Sequence, residues 1–111
     1  MSQQRTPEIR SSENGLSLFV TSHEERSDLL RWSDVESVLA YKRDVFAHDL
    51  ICLRFSTAEG TLEVDEEMQG WPHLVEILPE FLPGTPSFAD WWERVAQPPF
   101  APSIITLYKR G

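Results

Sequence analysis

The sequence predicts an α+β domain in which a mainly antiparallel, partly open sheet is packed by one kinked helix and a second, C-terminal helix, with a final strand after them. Three observations carry that prediction. Apolar residues alternate with period two over residues 16–20 and on both sides of Ala58-Glu59-Gly60, the spacing becomes helical after Gly70, and residues 104–108 form a closing β-rich run. A length of 111 residues fits one core better than two, and no repeat or low-complexity linker divides the chain.

Residues 1–13 are polar apart from Ile9, so they are expected to be a mobile tail ahead of a single domain over 14–111. Asn14-Gly15 reads as a turn, and Leu16, Leu18 and Val20 alternate with Ser17, Phe19 and Thr21 as a half-buried strand requires. Two readings compete over residues 22–41. Trp32, Val35, Val38 and Leu39 fit one helical stripe, with Ser33 and Glu36 in capping-box spacing; the β-rich sequence that follows favours a short helical turn over 33–36 and a strand over 37–43. A hairpin then joins 50–57 to 61–65 through Ala58-Glu59-Gly60. Ile51, Leu53 and Phe55 should share a face with Leu62 and Val64, leaving Arg54, Glu63 and Asp65 outside.

After Gly70, the residues Trp71, Leu74, Val75, Leu78, Phe81 and Leu82 form a helical stripe begun by Pro72. Pro79 has no amide hydrogen to give Val75, so a kink or restart is expected there, and Pro83-Gly84 ends the helix. Ser87 and Asp90 suit the start of a second helix whose stripe is Phe88, Trp91, Trp92 and Val95. Three prolines within 97–102 predict an extended segment before the last strand.

Composition narrows the function classes. Eighteen acidic against ten basic residues give a net charge of −8, which disfavours binding to nucleic-acid phosphates or anionic membranes and suits solubility or a basic partner. No apolar run approaches the roughly 20 residues of a spanning helix. The polar start lacks the pattern of a secretory signal, so a cytoplasmic location is expected. The single cysteine, Cys52, lies in an apolar strand and reads as a small hydrophobe.

The segment Trp32-Ser33-Asp34-Val35-Glu36-Ser37-Val38, followed by a strand, a hairpin and an amphipathic helix, resembles small bacterial pleckstrin-homology-like domains. The resemblance covers residues 16–82, while the second helix and final strand depart from the usual single terminal helix. It implies a curved antiparallel sheet packed by a helix and used for binding, and it carries over no functional residue.

The densest charge feature is Glu59, Glu63, Asp65, Glu66 and Glu67, with no basic residue among them. Its spacing matches no calcium loop, and no paired His or Cys motif accompanies it, so a solvated face or a basic-partner site fits better than a metal. His23, His48 and His73 stand in no catalytic signature, and the scattered glycines form no phosphate loop. The expected function is therefore a non-enzymatic, acidic protein-binding module without a cofactor, a bacterial immunity-type protein that masks a basic toxin being one concrete form. Its expected binding residues are Glu63, Asp65, Glu66 and Glu67 for electrostatic steering, Trp71 or Trp92 as an apolar anchor, and Phe46 in the preceding loop. The alternative is a sensory or regulatory domain that holds a small apolar ligand between sheet and helices. Self-association through the final strand or the Trp-rich helix is compatible with either.

Overall fold

The computed structural model describes residues 7–20, 25–26, 29–44, 48–97 and 103–110. Among the described residues the fold is α+β, with two antiparallel sheets and two α-helices. Strands β1 (Glu8–Ser12), β2 (Gly15–Val20), β3 (Glu25–Arg26) and β4 (Leu30–Arg31) make the first sheet, in which β1, β3 and β4 all pair with β2. Strands β5 (Ser37–Asp44), β6 (Asp49–Thr57), β7 (Gly60–Asp65) and β8 (Ile104–Lys109) make the second, in the order β7-β6-β5-β8.

A strand over Glu8–Ser12 replaces the mobile tail expected there, while residues 1–6 lie outside the described residues. Glu8–Ser12 pairs along its whole length with β2, the Ile9 amide donates to the Gln69 carbonyl at 2.7 Å, and the Ile9 side chain is buried in the core. A strand with one apolar residue is held by these distant partners rather than by its own composition. Gly15 follows the turn with φ +144, and a Cβ there would lie 2.0 Å from the Leu30 carbonyl oxygen. Only glycine lets β4 approach so closely.

Trp32–Asp34 form a single 3-10 turn, one residue earlier than expected and without a side-chain cap, so the Ser33–Glu36 box does not form. The Trp32 indole N–H donates to the Ser12 carbonyl at 2.8 Å, and its ring stacks on Phe81 at 5.8 Å, joining the first sheet to the first helix. The chain then enters β5.

The β6–β7 hairpin has the expected faces. Leu53 opposes Val64 and Phe55 opposes Leu62, while Arg54 opposes Glu63 on the other side. Val38, Ala40, Ile51, Leu53, Phe55, Val64 and Leu107 face a core shared with the helices. Cys52, on the opposite face of β6, is also fully buried. The final strand β8 joins the edge of β5, with a register shift between Val38 and Leu39.

Helix α1 (Trp71–Phe81) buries Trp71, Leu74, Val75, Ile77 and Leu78. It runs through Pro79 as one element, so of the expected kink or restart no restart occurs. Pro79 sits in the last turn, where its missing donor leaves few later turns to disturb. Helix α2 (Phe88–Ala96) is capped by Ser87, whose hydroxyl accepts from the Asp90 amide, and it buries Trp91 and Val95. It packs on β5, β6 and β8, whereas α1 packs on β1. The Lys42 ammonium, almost fully buried, donates to the Ala96 carbonyl at 3.0 Å and pairs with Asp49 at 3.4 Å, fastening the end of α2 to the second sheet. The expected extended segment over 98–102 lies outside the described residues.

Candidate functional site

The acidic run is not one free patch. On β7, the Glu63 carboxylate pairs with the Arg43 guanidinium and lies 4.0 Å from that of Arg54. Burial, reinforced by the negative charge of Asp65, holds Glu63 above the usual carboxylate range. Past the strand end, Asp65 accepts from the Glu67 amide at 2.9 Å, and Glu66 accepts from the Ile51 amide at 2.8 Å. Glu67 meets His48 at 3.0 Å, an exposed pair of small energetic weight. Four of the carboxylates singled out from sequence therefore have partners within the fold.

The aromatic candidates separate as well. Trp71 belongs to the core at 5% exposure, whereas Trp92 is 41% exposed. Phe88 lies between them, edge-on to Trp71 at 6.4 Å and tilted to Trp92 at 6.5 Å. Of the two proposed anchors, only Trp92 presents a large apolar surface to solvent. Phe46 lies outside the described residues. Among the described residues, the other large exposed hydrophobics are Leu29 and Ile104, the latter on the edge strand β8.

Carboxylates without a partner gather elsewhere. An open cleft of about 570 Å³ lies between the β6–β7 turn and the 3-10 turn. Leu29, Leu30 and Leu62 supply its apolar surface, and Asp34, Glu36 and Glu59 supply its charge. Among the described residues, none of these three carboxylates makes a hydrogen bond or ion pair. Arg110, the cation on this cleft, is turned to backbone: its guanidinium donates to the Ser33 carbonyl and its amide to the Glu36 carbonyl. The Glu36 amide in turn donates to the Ser56 carbonyl at 2.7 Å, setting Glu36 beside the hairpin turn that carries Glu59. In the sequence, Glu36 stands in capping-box spacing with Ser33, both Asp34 and Glu36 belong to the segment that resembles pleckstrin-homology-like domains, and neither is expected there to bind a partner. Pairing of Ser37 with Ser56 is the signal that brings them to Glu59.

A second recess, of about 410 Å³, runs between α1 and α2. It is walled by Trp71, Val75, Pro79 and Phe88, with Glu76 at its side. The expected position for an apolar ligand, between sheet and helices, is instead taken by the core side chains of both layers.

Burial pushes the Cys52 thiol up to about 11 from its ordinary 9.0, Arg43 opposing the shift. The folded state thus favours the thiol, so stability is complete below pH 9 and falls between about pH 9 and 11, as only the unfolded chain ionises. The two units correspond to about 3 kcal/mol. Urea titrations should show this loss in the wild type and its absence in Cys52→Ala, after each is referenced to its own value at pH 8. Among the described residues, no three His, Cys, Asp or Glu side chains are grouped to hold a metal, and no helix is long and apolar enough to cross a membrane. Comparison with models of protein families, with curated proteins and with solved structures finds no match.

Proposed function

We propose that this chain is a non-enzymatic binding module for a basic protein partner, which docks at the cleft between the β6–β7 turn and the 3-10 turn. The observation that carries this reading is the set of Asp34, Glu36 and Glu59, three carboxylates without a partner among the described residues, around leucine surface. Such an arrangement attracts cations at long range and still offers apolar area to desolvate on contact. The net charge of −8 acts in the same direction. The chain's one cysteine is buried as a thiol, which supports binding over thiol-based catalysis. The resemblance to pleckstrin-homology-like domains points towards binding too. An immunity-type protein covering the basic site of a nuclease-like toxin is the concrete form we favour.

Fluorescence anisotropy with a lysine- and arginine-rich peptide tests the reading. The wild type should bind it and should ignore the same peptide with glutamate in place of each basic residue. Affinity should fall roughly tenfold in the Glu36→Lys/Glu59→Lys double variant, and should weaken between low and moderate salt. Equal binding of both peptides, or affinity indifferent to salt and to the double substitution, would reject the proposal.

A further inference from the structure

We propose that the basic partner binds by adding an extended segment as a new strand to the free edge of β7, an assignment that deepens the cleft reading above and rests on it. The backbone of β7 sets up this edge. The Glu66 amide donates to the Ile51 carbonyl at 3.0 Å, just past the opposed pair Asp65 and Cys52. Bonded and unbonded pairs alternate along an antiparallel ladder, so Leu62 and Val64 bond to β6, while Thr61 and Glu63 turn their N–H and C=O groups away from it. Asp65 fits the alternation, since its carbonyl accepts from the Met68 amide instead. Among the described residues nothing pairs with the outward backbone groups of Thr61 and Glu63, and β7 has no neighbouring strand but β6.

Edge strands are commonly guarded against such pairing by proline, lysine or a bulge. The other edge of this sheet, β8, carries Lys109 and pairs with a register shift. β7 has none of the three. It carries Glu63 and Asp65 and no basic residue, and its first residues, Gly60, Thr61 and Leu62, line the cleft that holds Asp34, Glu36 and Glu59. A segment laid along β7 thus finds backbone partners over residues 61–63, and its end beyond Gly60 enters the acidic cleft. The occupant with that form is an uncharged, β-rich stretch flanked by lysine or arginine. A basic helix would satisfy the carboxylates but leave the outward groups of Thr61 and Glu63 unused.

The test uses the full chain labelled with nitrogen-15 and the peptide acetyl-Lys-Arg-Thr-Val-Thr-Val-Lys-Arg-amide. Its control is the same peptide N-methylated at the central threonines and valines, which keeps the charge and removes the backbone donors. At saturation the first peptide should slow hydrogen exchange of the Thr61 and Glu63 amides by roughly tenfold or more. The control should bind roughly tenfold more weakly. Thr61→Pro removes one outward donor at an edge position where proline is tolerated, and should weaken binding by roughly threefold to tenfold while the Leu62 and Val64 amides stay protected. Unchanged exchange at both amides under saturating peptide would overturn the assignment whatever the variant does, as would absence of binding or equal affinity for the control. Shifts at Asp34, Glu36 and Glu59 without protection on β7 would overturn the added strand and leave the basic-partner function standing. Failure of that broader function is read from the anisotropy experiment, which does not depend on the strand edge.

Discussion

Trp91→Ala is expected to cost about 3–5 kcal/mol and to leave the chain unfolded or close to it, because it empties the largest fully buried side chain of the core. Trp91 is 1% exposed and meets Phe88 edge-on at 5.0 Å. A small domain has roughly 5–15 kcal/mol of total stability, so a loss of this size removes much of it. The adjacent Trp92→Ala should cost about 1 kcal/mol or less, since that ring is 41% exposed and its removal leaves little cavity. Urea denaturation followed by far-ultraviolet circular dichroism compares the two without relying on tryptophan emission. Equal losses would mean that α2 is seated on the sheet in another rotation.

Gly70→Ala should be the second most damaging substitution, with a loss of roughly 2–4 kcal/mol from strained backbone and collision together. Gly70 precedes α1 with φ +91, and a Cβ there would lie 2.1 Å from the Ile9 carbonyl oxygen. Backbone occupies that space, so no side-chain rotation relieves the contact. Gly84→Ala is the matched control. Its φ is +96, but nothing lies within 4 Å of the added Cβ, so it should lose only about 1 kcal/mol. The difference between the two variants measures how tightly β1 is held against the start of α1. Similar losses would show that β1 can retreat at little cost.

The parts of the fold legible in sequence are those whose determinants are local. The β6–β7 hairpin follows from alternation around Ala58-Glu59-Gly60, and α2 follows from Ser87 with the Trp91 and Val95 spacing. β1 was not legible because Glu8–Ser12 has one apolar residue and owes its order to β2 and to Gln69. Pro79 raised the expectation of a kink or restart, and the core contacts of Ile77 and Leu78 outweigh a restart. The same division holds for the candidate site. The run from Glu63 to Glu67 is conspicuous as a string, yet its partners Arg43, His48 and Ile51 lie on other segments. Asp34 and Glu36 lie far in sequence from Glu59, a member of the acidic run, and become its neighbours only through strand register.

The placement of β8 also has a consequence for the order of events as the chain folds. Strands β5, β6 and β7 follow one another through short connections, so the entropy lost in bringing them together is small. Joining Ser37 to Lys109 instead closes a loop of roughly seventy residues. The three-stranded meander is thus the natural nucleus and β8 a late arrival. In a chain that has formed only the meander, one flank of β5 stands open until Leu107 docks, and an open strand edge invites pairing with another chain.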